Sequence, residues 1–153
     1  GATVEKVDGN WPGVNQFTGW DNPTFTFTDN YLSATYSYAS VRTTSALDSH
    51  VWFAANKNAG LKISGFSTSG YTNLKLSYSI AANVKSVDQN VIQVKCDSTV
   101  MTVPSVSIPA INVYQTVELS NVPVNTTSIE FISSATTNTA GYRIDNVKLV
   151  GTK

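Results

Sequence analysis

The chain has 153 residues, 41% of them hydrophobic and only 13% charged, against about a quarter charged in an average globular protein. That length fits a single domain over 1–153, with apolar residues enough for one core and a surface made polar mainly by Ser, Thr and Asn. Ten basic and ten acidic side chains cancel, so no net field draws in nucleic acid or an anionic membrane, and no apolar run approaches the roughly 18 residues of a membrane span.

Taken in chain order, the sequence opens on Gly1-Ala2-Thr3, which does not read as a signal peptide, so an exported protein would already have lost its signal. Period-2 alternation, the mark of a half-buried strand, then recurs to the end. It predicts strands at 2–7, 23–28, 31–39, 49–55, 60–66, 74–80, 91–96, 99–103, 113–120, 127–133 and 141–150. Turn formers such as Asp8-Gly9, Trp11-Pro12-Gly13, Asp29-Asn30, Ser69-Gly70 and Val122-Pro123 fall between the runs. The segment 104–112 reads as an edge strand interrupted by Pro104 and Pro109. No stretch carries a sustained 3.6-residue period, so helix is expected to be nearly absent. About ten strands without crossover helices pair mostly antiparallel and bury one face each, which predicts an all-β, two-sheet antiparallel β-sandwich of jelly-roll type rather than a closed barrel.

Cys96 is the only cysteine, which excludes an intramolecular disulfide and a thiolate metal cluster. Alternation puts it on one face with Ile92 and Val94, as a buried thiol. The three glutamates, Glu5, Glu118 and Glu130, fall on separate predicted strands, whereas glycoside hydrolysis needs two carboxylates about 5 to 9.5 Å apart. Metalloenzyme spacing, a nucleophile elbow and a phosphate loop are also missing. The chain is therefore expected to bind rather than to catalyse.

Three pieces carry a family resemblance: Gly19-Trp20, the run Ser69-Gly70-Tyr71-Thr72-Asn73-Leu74-Lys75-Leu76-Ser77-Tyr78, and the closing Gly141-Tyr142-Arg143-Ile144-Asp145-Asn146-Val147-Lys148-Leu149. Together they resemble the jelly-roll carbohydrate-binding modules of secreted bacterial glycanases, xylanase-associated modules similar to families 4 and 22 above all. The resemblance implies an extracellular, secreted or cell-surface module, monomeric within a larger chain, that binds plant cell-wall polysaccharide and targets an attached glycoside hydrolase. Xylan comes first among the ligands, then β-glucan or another hemicellulose. It also implies a structural Ca²⁺ held by Asp145 with Glu5, or less readily Asp8, although neither acid sits in a clear copy of the family's N-terminal motif. The competing reading is a structural or adhesion β-sandwich of a bacterial surface protein.

A sugar ring offers an apolar C–H face and a hydroxyl edge, so a site needs flat aromatic rings beside planar polar groups. In Ser49-His50-Val51-Trp52-Phe53-Ala54-Ala55-Asn56, alternation sets Val51 and Phe53 against His50, Trp52 and Ala54. If the first pair faces the core, Trp52 projects as a stacking platform. Tyr36 and Tyr38 share a face and could extend it, Trp20 follows a turn, and Trp11 lies in a loop. Asn56, Gln93 and Arg42 are the candidates for bonding hydroxyls, because amide and guanidinium groups each offer two hydrogen bonds in one plane. His50, on the Trp52 face, is a hydrogen-bonding candidate.

Overall fold

In a computed structural model, which describes residues 3–32, 37–45 and 47–153, the alternation of the sequence becomes two stacked sheets. The strands are β1 (Thr26–Thr28), β2 (Ala39–Arg42), β3 (His50–Phe53), β4 (Ala59–Ser64), β5 (Thr72–Ala82), β6 (Gln93–Cys96), β7 (Thr99–Val100), β8 (Gln115–Leu119), β9 (Ser128–Ser133) and β10 (Tyr142–Thr152). One sheet has the order β2-β3-β10-β5-β8 and the other β1-β4-β9-β6-β7, and every pairing is antiparallel. The first is called the front sheet below, the second the back sheet. A single 3₁₀ turn, Gln89–Val91, is the one helical element among the described residues; Asp88 caps it by accepting from the Asn90 amide.

Each sheet turns one face inward. In β5, Leu74, Leu76, Tyr78 and Ile80 are buried while Lys75 is exposed. Phe53, Tyr142 and Ile144 join them from the front sheet, and Leu61, Ile92, Val94 and Phe131 meet them from the back. Tyr78 and Phe131 bridge the layers edge to face, with centroids 4.9 Å apart. Side chains of this size contribute roughly 1.5–3 kcal/mol each on burial, which makes the sandwich interior the main source of stability. Cys96 lies in the same core beside Ile92 and Val94, and burial pushes its thiol up to about 11.

Two expected strands do not form. Of the segment 2–7, the described residues 3–7 make only the bridge Val7↔Asn10: Val4 is buried, yet its amide donates to Thr43 Oγ1 at 2.9 Å, so a side chain satisfies it in place of a neighbouring strand. Segment 104–112 makes only the bridge Asp88↔Ser107, since Pro104 and Pro109 have no amide to give a ladder. The strand expected at 31–39 begins at Ala39; Tyr31 sits in a turn, and 33–36 lies outside the described residues.

The two ends of β10 differ. It pairs with β5 through most of its length but with β3 only at Tyr142, Arg143 and Ile144. Between Asp145 and Lys148 the register shifts, and Asn146 takes φ 51° to make the bulge.

Asn138, fully buried, anchors the start of this strand. Its Nδ2 donates to Ser133 Oγ at 2.9 Å and to the Ala54 carbonyl at 3.3 Å. Its Oδ1 accepts from the amides of Ala140 at 3.2 Å and Gly141 at 2.8 Å, and its carbonyl accepts from Asn56 at 2.7 Å. One side chain thus ties the ends of β3 and β9 to the beginning of β10. Substitution Asn138→Ala orphans two buried amides at about 1–3 kcal/mol each. In a domain of this size each kcal/mol is worth roughly 2–4 °C, so the variant should melt on the order of 10 °C lower; an unchanged melting temperature by circular dichroism would contradict the anchoring role.

Candidate functional site

The outward face of the front sheet gathers the polar chemistry. With Val51 and Phe53 buried, Trp52 and His50 point away from the core. Cross-strand register then sets Ser40, Trp52, Arg143 and Ala81 in one row. Arg42 stands opposite His50, and Asp145 opposite Ser79 in the next row. Tyr114, immediately before β8, shares this face because Val117 and Leu119 of β8 turn inward.

Trp52 is half-buried and its ring is already engaged. The Arg143 guanidinium carbon lies 4.5 Å from the ring centroid and that of Arg42 5.2 Å, contacts worth about 0.5–2 kcal/mol each. The far edge of the indole rests on Gly141: a β-carbon there would come within 2.1 Å of Cη2, and the φ of +80° independently favours glycine. Since the Gly141 amide is the one bonded to Asn138, the core anchor also fixes the floor beneath the indole. The outward indole is therefore not a bare ring but one flanked by two guanidinium groups.

Arg143 is 8% exposed and His50 3%. Nη1 of Arg143 donates to Asn112 Oδ1 at 2.7 Å and Asn83 Oδ1 at 3.2 Å, and Arg42 Nε donates to Ser40 Oγ at 2.8 Å. The His50 Nδ1 lies 2.7 Å from the Asp48 carbonyl; a carbonyl only accepts, so Nδ1 carries the proton and Nε2 the lone pair. Burial keeps this imidazole below its ordinary pKa, with Arg143 and Arg42 acting the same way against the hydrogen bond to Asp48. Four buried side-chain polar atoms lack a partner among the described residues, and three of them, His50 Nε2, Tyr114 Oη and Arg143 Nε, belong to this face. Buried polar atoms are ordinarily bonded, so these three are the atoms of the face open to a hydrogen bond from water or from a ligand.

The remaining candidates are scattered. Gln93 is exposed on β6, in the back sheet, and cannot join a site on the front one. Tyr38 is half-buried just before β2, with Lys57 Nζ 4.6 Å from its ring centroid, and Asn56 turns the chain beyond β3 with φ 58°. Tyr36 lies outside the described residues. Trp20 packs instead between Phe27, stacked at 4.0 Å, and Phe17, edge-on at 5.1 Å. There it lines a cleft of about 880 Å³ that opens between the sheets, with His50 and Asp145 at the cleft's front-sheet side. Arg143 and Tyr114 were not singled out from the sequence, although alternation against Ile144 places Arg143 on the Trp52 face.

Glu5 is exposed on the N-terminal segment, and Asp145 is half-buried, accepting from the Asn146 amide at 2.7 Å. Among the described residues no three His, Cys, Asp or Glu side chains form a group able to hold a metal ion. Glu118 pairs loosely with Lys75 at 3.9 Å on the front sheet, while Glu130 accepts from Asn30 at 2.7 Å on the back one. Burial is the leading reason that the Asp145 carboxyl titrates above its ordinary value, outweighing the Asn146 hydrogen bond that lowers it; Asp48 and Asp21 push it the same way as burial. A raised carboxyl pKa favours folding in acid, below the unfolded value near 4, and that contribution is lost as pH rises through the folded value. Asp145→Asn should therefore melt higher than the parent at pH 7, with the gap closing towards pH 4; a gap that widens in acid would reverse the assignment.

No family model matches the chain, and no curated protein does. Several solved structures share the fold. The C-terminal family 6 carbohydrate-binding module of a marine laminarinase from Zobellia galactanivorans superposes with a TM-score of 0.53 at 14% identity, covering 82% of this chain and 99% of that one. A single-site variant of a family 29 carbohydrate-binding module gives 0.53 at 13% identity, covering 89% and 86%. A family 61 module solved with β-1,4-galactotriose gives 0.50 at 13% identity, covering 83% and 88%. Families 4 and 22, which the sequence resembles above all, are not among these three. The jelly-roll sandwich expected from the sequence is thus a fold that carbohydrate-binding modules of several families share with this chain.

Proposed function

We propose that the chain is a non-catalytic carbohydrate-binding module whose ligand lies across the outward face of the front sheet. One observation carries the reading: an outward tryptophan bracketed by Arg42 and Arg143, on the face that also holds the unpartnered His50 Nε2, Tyr114 Oη and Arg143 Nε. The group mixes donors with an acceptor. A hydroxyl, which both donates and accepts, answers such a mixture, and a sugar supplies hydroxyls at close spacing around an apolar ring. The shared fold supports the same reading, since the similar structures are carbohydrate-binding modules and one holds a galactotriose. Plant cell-wall polysaccharide, with xylan ahead of β-glucan and other hemicelluloses, is the ligand class we assign. Delivery of an attached glycoside hydrolase to that polysaccharide, outside the cell, is the role.

The second reading, a structural or adhesion sandwich, draws on the half-burial of Trp52 and Tyr38. Affinity gel electrophoresis against a panel of soluble plant glycans separates the two. Retardation by at least one glycan is expected, and Trp52→Ala should weaken it tenfold or more, a loss of about 1.4 kcal/mol or above, as for truncation of a central interface aromatic. If no glycan retards the parent protein, the adhesion reading takes its place; if Trp52→Ala is retarded like the parent, the site lies elsewhere.

A further inference from the structure

Arg143 is a buried cation without a carboxylate. Among the described residues no Asp or Glu forms an ion pair with it; the groups that bind it, Asn83 Oδ1 and Asn112 Oδ1, are neutral amide oxygens. Ions taken out of water ordinarily recover the cost through an opposite charge, and an unpaired one is strongly destabilising. Here the two amides orient the guanidinium without supplying a paired carboxylate.

The orientation is specific. Both amide contacts fall on Nη1, while Nε is buried without a partner and Nη2 donates to no described group. Nε and Nη2 together form the lateral edge of a guanidinium, where two N–H bonds run parallel at the spacing of the two oxygens of a carboxylate. The uncommitted edge of Arg143 is therefore the one suited to bidentate capture of a planar anion. Tyr114 adds a further donor: its hydroxyl is buried and unpartnered, and burial first, then the Asp145 carboxylate, hold it protonated against the opposing pull of Arg143, with Asp48 adding to the same side. Two residues before Trp52 on β3, His50 Nε2 is an acceptor and requires a hydroxyl rather than an anion.

We propose that the Trp52 face recognises a uronic acid residue, whose carboxylate is gripped by Nε and Nη2 of Arg143 with help from the Tyr114 hydroxyl while a ring hydroxyl donates to His50 Nε2. The proposal rests on the carbohydrate-binding reading and narrows it to acidic glycans, which on a xylan means its uronic acid branches. Because Nε is buried, capture of a carboxylate there requires a side-chain rearrangement of the kind commonly seen at interfaces.

The test compares glucuronoxylan, polygalacturonate and alginate, each beside the same polymer with its carboxyl groups chemically reduced to alcohols, by isothermal titration calorimetry and affinity electrophoresis. A sulfated galactan serves as an anionic polymer without carboxylates. At least one uronate polymer should bind tenfold or more tightly than its reduced form, and Arg143→Met should remove that preference. Equal affinity for the acidic and reduced forms would overturn the proposal and leave the carbohydrate-binding reading standing. Retention by the sulfated galactan alone would overturn the choice of a carboxylate, and failure of every polymer would overturn both. The carboxyl-reduction comparison uses the unaltered protein, so it decides the matter even where Arg143→Met folds poorly.

Discussion

Asn138 is the point on which the front sheet turns. Three strand ends converge on it: β3 through the Ala54 carbonyl and the Asn56 amide, β9 through Ser133, and β10 through the amides of Ala140 and Gly141. Hydrogen bonds of this kind are worth only about 1 kcal/mol net, but leaving buried partners unmade costs more than making them gains, so position rather than strength is what they fix. Here the position matters for the site. Gly141 is held where its missing β-carbon admits the indole of Trp52, and the next residues on the strand place Arg143 beside that ring.

From that anchor the outward face is set in an incompletely satisfied state. Among the described residues, the unpartnered buried polar atoms other than Tyr78 Oη belong to that face. A sandwich serving only as a spacer would gain stability by replacing a buried, unpaired arginine with an apolar side chain, since a buried ion recovers its desolvation cost only through well-placed partners. Arg143, with its fork aimed by two asparagines, suits the proposed recognition of a ligand, because side chains already held in place lose little freedom on binding.

Much of the fold was legible along the chain, and the reason is visible in single elements. Leu74-Lys75-Leu76-Ser77-Tyr78-Ser79-Ile80 alternates so strictly that its buried face could be written down before any coordinate, and the same holds for Ile92, Val94 and Cys96. The orientation of Trp52 followed from Val51 and Phe53. What alternation cannot supply is which sheet a strand joins. Gln93 and Trp52 both point outward, but β6 and β3 belong to opposite layers, because strand order is decided by long-range pairing. Segment 2–7 also alternates, yet a threonine hydroxyl took the place of a partner strand. Asn138 was invisible for a different reason: in a run of Ser, Thr and Asn it has no local mark that separates a buried hub from a solvated loop.

The far half of β10 runs on past the end of β3 with one edge unpaired among the described residues. Such an edge is a template on which a second chain can add a strand, and flat, regular edges lead to fibres. The bulge at Asn146 breaks the even spacing of backbone donors and acceptors just where the unpaired stretch begins, and Lys148 follows it at once with a charge that resists stacking against its own copies. The irregularity that ends the proposed binding face thus also breaks the regular edge along which copies of this strand could stack.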